Sequence, residues 1–414
     1  MPTVAILGTL DTKGLELAYA ARLVRADGCD VVLIDVGVTG APQQINADVT
    51  RAQVAAAADE SLQDLVHRDD RGHAMEAMGR GAGKILQDLY ASGRLDAVLS
   101  LGGSGGSSIA TAAMRQLPVG VPKLMVSTIA SGDVSSYVGQ TDITMMYSVL
   151  DIAGLNSVSE RIFANAAAAV AGMAKAAVQW APRAHARPTI AVSMFGVTTS
   201  AVTAARTWLE AAGYEVLVFH ANGAGGRAME SLIRGGAVAG CLDLTTTELA
   251  DELVGGTLSA GPGRCEAAGR RGLPQVVSLG ALDMVNFGPL DTVPVHFRGR
   301  TLYQHNPNVT LMRTTTPECA SLGAIIGRKL NAATGPAAVF IPLRGVSSIS
   351  TAGKVFHDSA ADAALFAALR ATLDSRIEAV SLDTDINDSG FAIAMAQKLH
   401  KLIEIDKGNS RAQT

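Results

Sequence analysis

Short apolar runs alternate along the chain with longer stretches in which apolar residues recur every three or four positions. Val4–Leu7, Val31–Val36, Ala97–Leu101 and Lys123–Val126 read as strands, and Lys13–Ala26, Ala74–Tyr90, Ser107–Arg115 and Asn156–Val178 as helices. A looser polar region covers residues 39–70. The pattern breaks at Ala181-Pro182-Arg183-Ala184-His185-Ala186-Arg187-Pro188, where two prolines and two arginines separate apolar segments. It then restarts. Ile190–Met194, Glu215–Phe219, Val238–Leu242, Gln275–Ser278, Val309–Arg313, Ala338–Ile341 and Glu378–Leu382 read as strands. Ser200–Ala212, Arg227–Arg234, Pro317–Leu330, Ala361–Leu373 and Ser389–Ile403 read as helices. Alternation of this kind predicts an α/β fold with two tandem modules, each a mainly parallel sheet flanked by helices. The expected modules cover 1–181 and 189–408, with a linker at 182–188.

Composition narrows the picture. The 414 residues include 43 glycines, 48% are apolar and 4% aromatic, so the cores are built from Ala, Val, Leu and Ile. That composition suits parallel strands buried on both faces. The net charge of −4 and the lack of a Lys/Arg run argue against nucleic acid as a main partner. No unbroken apolar stretch approaches the ~18 residues of a spanning helix; the alanine-rich run Ala164–Val178 is interrupted by Asn165 and Lys175. Met1-Pro2-Thr3 leads straight into a strand with no basic start or cleavage motif, so no leader segment is expected. Cys29, Cys241, Cys265 and Cys319 stand far apart, which points to a reducing cytoplasm rather than a disulfide framework.

The candidate chemistry lies in loops that follow strands, where ligands of α/β sheets bind. Gly102-Gly103-Ser104-Gly105-Gly106-Ser107 joins a strand to a helix. Its glycines let backbone N–H groups approach an anion, and the helix start adds partial positive charge. The same residues fit G-x-S-x-G, with Ser104 as an elbow nucleophile and Asp133 with His185 or His220 as downstream partners. The loop after the first strand, Gly8–Gly14, offers Asp11, Thr12 and Lys13: a carboxylate for Mg²⁺, a hydroxyl and an ammonium for phosphate. A third loop, Ser127–Asp133, contributes Ser131 and Asp133.

In the second module His220 precedes another glycine loop, Gly223, Gly225 and Gly226, a second candidate anion cradle. Asp243 ends the next strand, and His305, Arg313 and Glu318 offer a base, an anion clamp and an orienting acid. Arg313 and Glu318 fit a structural ion pair equally well. Two motifs are discounted. Gly79–Lys84 resembles a Walker loop but has the wrong spacing and falls within a helical pattern; Asp383–Asp388 resembles a calcium loop but lacks its glycine and final glutamate, and reads as a helix start.

These loops together resemble the Tm-one-like ATP-binding domain family. The matching segments are Gly8–Gly14, Leu101–Ser107, Ser127–Asp133, Thr141–Tyr147, His220–Glu230, Pro274–Pro289 and His305–Arg313, spread from end to end of the chain. The resemblance implies two Rossmann-like modules, a homodimer or higher homo-oligomer, and ATP bound with Mg²⁺. It places the nucleotide on Gly102–Ser107, with Asp11, Thr12 and Lys13 beside it. A plant member carries a further C-terminal barrel domain, so a separate barrel-domain protein is an expected partner. Ser107 and Asn222 stand where the family tends to have threonine, and Ser350 where an acidic residue is expected.

The reading is a cytoplasmic nucleotide-binding protein, its ligand on the glycine loops near the cleft between modules. A small phosphate- or carboxylate-containing metabolite would face the nucleotide from His220, Asp243, His305 and Arg313. The alternatives are a serine hydrolase using Ser104 and a non-catalytic module stabilised by nucleotide.

Overall fold

The apolar runs become the strands of two parallel sheets in the computed structural model, which describes residues 1–42, 45–180 and 187–412. The chain divides into two units, Met1–Ala184 and His185–Thr414. Residues 182–186 of the expected linker lie outside the described residues.

The first unit carries β1 (Thr3–Gly8), β2 (Asp30–Asp35), β3 (Ala97–Gly102), β4 (Lys123–Ser127) and β5 (Thr144–Tyr147). All pair in parallel, in the order β2-β1-β3-β4-β5. Both faces are covered, so β3 and β4 are buried along their whole length. Alternate residues of β1 divide between the faces. Val4 and Ile6 pack with helices Leu10–Ala26 and Ser157–Gln179 through Leu17, Val24, Phe163 and Val170. Ala5 and Leu7 pack with helices Arg71–Ala91 and Ser104–Met114 through Met78, Leu86 and Ile109. The polar region 39–70 contains two short helices, Arg51–Ala57 and Leu62–His67, the first opened by a capping box of Thr50 and Gln53. The Walker-like glycines fall inside helix 71–91, and a Cβ on Gly81 would lie 1.9 Å from the Val54 carbonyl oxygen. Close helix packing therefore accounts for that glycine.

The second unit carries β6 (Thr189–Met194), β7 (Glu215–His220), β8 (Gly240–Thr245), β9 (Gln275–Gly280), β10 (Met284–Phe287), β11 (Leu302–Asn306), β12 (Val309–Arg313), β13 (Ala337–Pro342) and β14 (Glu378–Leu382). The main sheet is parallel, in the order β14-β13-β9-β8-β6-β7. Its first two strands and the next on the other side repeat the connectivity of the first unit. Val309–Arg313 belongs instead to a small antiparallel sheet, β10-β12-β11. Thus the expected α/β architecture of parallel, helix-flanked sheets holds, with this antiparallel addition.

Candidate functional site

In the first unit the chain runs from β1 outward to β2 and returns to β3 on the other side. Neighbouring strands whose connections leave in opposite directions open a crevice at their carboxyl ends. A cavity of about 520 Å³ lies there, and every lining residue belongs to this unit. Three helices start on it: 10–26 with Thr9, Asp11, Thr12 and Lys13; 71–91 with Asp69, Asp70 and Arg71; and 104–114 with Gly103–Gly106. Val36, Val38, Leu65, Met75 and Ile109 form an apolar wall.

The glycine loop is shaped by close packing. A Cβ on Gly102 would lie 3.0 Å from the Gly106 Cα, so the strand end and the first helical turn nearly touch. Gly103 is the N-cap of helix 104–114, and no side chain caps that helix. The opening N–H groups of a helix have no intrahelical acceptor, and here those of Ser104, Gly105 and Gly106 border the cavity. Ser107 is different. It is fully buried, with its hydroxyl 2.6 Å from that of Ser127 and its carbonyl accepting from Thr111, so it ties the helix to β4.

Ser104 begins the helix with ordinary backbone, outside the positive-φ residues, and among the described residues no histidine lines the cavity. The strained turn of a nucleophile elbow is therefore missing, and the serine-hydrolase alternative is set aside. Of its expected partners, Asp133 caps the Ser135 N–H at 2.9 Å, His220 belongs to the second unit and His185 lies outside the described residues. Ser131 and Asp133 are exposed and do not line the cavity.

Asp11 is 7% exposed and its carboxylate accepts from the Gly40 N–H at 3.1 Å and the Thr39 hydroxyl at 3.3 Å. Beside it Asp35, at the end of β2, accepts from the N–H groups of Leu10 and Gly37. Burial pushes the Asp35 carboxyl above its usual range, against those two hydrogen bonds. Lys13 leaves the helical conformation (φ −126°) and its ammonium donates to the Ile152 carbonyl.

The second glycine loop has a different fate. The N–H groups of Gly223 and Gly226 donate to Glu248 Oε1 at 2.7 and 3.1 Å, and that of Gly225 to Asn222 at 3.0 Å. The expected anion is the protein's own carboxylate. A Cβ on Gly226 would lie 2.2 Å from Glu248 Oε2 and one on Gly225 1.9 Å from the His220 carbonyl oxygen, which is why glycine stands at both positions. The other Glu248 oxygen meets Arg264 Nε at 2.5 Å. Arg264 is fully buried and also holds Asp243 through two bonds of 2.5 and 2.6 Å and Glu230 at 3.3 Å. Burial alone would disfavour its charge, but the carboxylates outweigh it and keep the guanidinium charged.

Asp243 is therefore locked in an internal ion cluster and does not face a ligand. His220 is exposed and stacked on Phe195, with ring centroids 5.3 Å apart. The trio of His305, Arg313 and Glu318 is not assembled. His305 is exposed at an irregularity of β11; Arg313 is buried against Asp362 at 2.6 Å; Glu318 pairs with Arg300 at 2.7 and 3.1 Å. Nor do Arg313 and Glu318 pair with each other: the ion pairs cross to Asp362 and Arg300. Ser350, in place of the expected acid, accepts from the N–H groups of Val346 and Ser347 and closes a turn.

Comparison with known sequences now decides the lineage. Residues 2–179 match the N-terminal domain, and residues 187–403 the C-terminal domain, of an uncharacterised protein family, UPF0261. The chain belongs to the UPF0261 family. It is 51% identical over 403 residues to a UPF0261 protein of Clostridium tetani, covering 97% of this chain and 99% of the relative. It is 49% identical over 398 residues to one from Rhizobium meliloti, covering 95% and 97%. The ToMV resistance protein Tm-1(GCR237) of Solanum lycopersicum is 39% identical over 415 residues, covering 95% of this chain and 55% of the tomato protein.

In this UPF0261 chain, Asp11, Thr12, Lys13, Gly103, Ser104, Gly105 and Gly106 are brought together by the switch from β1 to β3. Arg71 and the apolar wall complete the cavity without any local motif. Arg71 borders the polar region between β2 and β3, and only the long crossover carries it to the glycine loop.

Proposed function

We propose that the first unit binds a nucleotide, ATP with Mg²⁺. The observation that carries this reading is the open cavity where the uncapped start of helix 104–114 meets an apolar wall. Helix starts favour phosphate oxygens, and Val38, Leu65, Met75 and Ile109 offer a surface for a flat base. The resemblance to the ATP-binding family supports the same assignment. Among the described residues no three His, Cys, Asp or Glu side chains gather to hold a metal. Mg²⁺ commonly rests on one or two carboxylates and the phosphates themselves, so Asp11 is the group that would hold it, with the Thr9 and Thr12 hydroxyls nearby. Bound there, the ion would offset phosphate charge.

Gly223 and Gly226 are filled by Glu248 and Asp243 is paired with Arg264, so a facing metabolite site built from Asp243 or Gly223–Gly226 is withdrawn. Calorimetric titration with ATP and Mg²⁺ tests the proposal, with Gly105→Asp as the control. Aspartate at the second helical position is compatible with the fold and places a carboxylate where phosphate would sit. Binding by the native chain and loss in the variant is the expected result. An unchanged affinity in Gly105→Asp, or no binding by the native chain at millimolar ATP, overturns it.

A further inference from the structure

We propose that Arg71 is the clamp that reads the phosphates of a ligand in this cavity. The proposal rests on the nucleotide reading above. Arg71 is the first residue of helix 71–91 and lines the cavity opposite the glycine loop; a Cβ on Gly105 would lie 3.2 Å from its Nη2. Among the described residues Arg71 makes no hydrogen bond or ion pair, although its neighbours do: Arg68 reaches Glu60 and His73, and Arg80 reaches Glu76 and Glu60.

The nearby acid Asp70 is committed to the His73 N–H at 3.0 Å, and the other lining cation, Lys13, to the Ile152 carbonyl. Arg71 is thus an exposed, unpaired guanidinium at the start of helix 71–91, with its Nη2 beside the start of helix 104–114. Such a placement is unfavourable by itself, since a cation belongs at the opposite end of a helix. An anion between the guanidinium and the Ser104–Gly106 N–H groups turns both terms favourable. The planar fork of arginine suits two phosphoryl oxygens at once, which a lysine cannot match. A neutral nucleoside gains nothing from it.

The test measures affinities of the native chain, Arg71→Ala and Arg71→Lys for ATP, adenosine and inorganic tripolyphosphate. Arg71→Ala is expected to weaken ATP and tripolyphosphate at least tenfold, leave adenosine unchanged, and leave the melting temperature of the ligand-free protein unchanged. Arg71→Lys should recover only part of the loss. Native-like ATP affinity in Arg71→Ala, or an equal loss for ATP and adenosine, overturns the clamp. If the native chain binds tripolyphosphate but not ATP, and Arg71→Ala loses it, the nucleotide reading fails while the clamp stands. If the native chain binds neither polyphosphate, both fail.

Discussion

Replacing Glu248 with alanine tests whether the second glycine loop is an internal ion site. The carboxylate is fully buried and has three partners: the Gly223 and Gly226 N–H groups on one oxygen and the Arg264 Nε on the other. Its loss strands two buried donors and leaves Arg264 with Asp243 and Glu230 as its carboxylate partners. Breaking a buried ion pair by removing one partner costs about 3–5 kcal/mol, because the remaining group stays desolvated without compensation. Each kcal/mol shifts the midpoint of a domain of 150–250 residues by roughly 2–4 °C. The second unit, His185–Thr414, falls in that class, so its melting temperature should drop by between roughly 6 and 20 °C. Scanning calorimetry on the full chain is the assay, with the first unit's transition as internal reference. A loss below about 1 kcal/mol would mean that the loop N–H groups are readily rehydrated, and the argument that this loop is closed to outside anions would fall with it.

Other consequences are equally direct. Asp251 is buried, has no ion pair among the described residues, and accepts from the Asn286 N–H, the Asn286 amide and the Leu258 N–H. Burial pushes its carboxyl up to about 7 against those hydrogen bonds. The folded state thus keeps a proton that the unfolded chain releases near pH 4, so this group's contribution to stability declines as pH rises through that window and levels off above about 7. Relative to Asp251→Asn, the native chain should lose roughly 2–3 kcal/mol between pH 5 and 8; the same native-minus-variant difference in unfolding free energy from urea denaturation at the two pH values would refute this. Gly81→Ala should destabilise the first unit by about 1–3 kcal/mol through the clash with Val54. Gly172→Ala, with open space around it in helix 157–179, should be neutral or stabilising by up to about 1 kcal/mol; equal melting shifts in the two variants would contradict the packing account. A serine-directed fluorophosphonate should leave the protein unlabelled, and labelling abolished by Ser104→Ala would restore the hydrolase reading.

The strands were legible because burial on both faces demands unbroken apolar runs, as in Ala97–Leu101 and Ala338–Ile341. Two exposed strands were not, although the edge strands β7 and β14 were. β5 and β11 are short and largely solvent-facing, so their residues carry neither an apolar run nor a clean alternation. The two glycine loops show the deeper limit. Both join a strand to a helix, yet one is uncapped and the other is filled by a glutamate from the start of a different helix. Nothing within either loop distinguishes them, since the deciding residue is brought in by tertiary packing. Arg313 and Asp243 failed as site residues for the same reason: their partners, Asp362 and Arg264, are distant in sequence and meet them only in the core.

The central place of β1 has a consequence for how the protein is made. β1 pairs on one side with β2 but on the other with β3, which is synthesised about ninety residues later, as in Val4 against Ala97. At ribosomal speeds of about 5–20 residues per second, that second edge stays open for several seconds. Helix 10–26 waits longer still, because Lys13 and Glu16 take their partners from Ile152 and Gly154. Contacts of such sequence separation slow folding, and they leave the buried face of helix 10–26 without these partners until residue 154 has emerged.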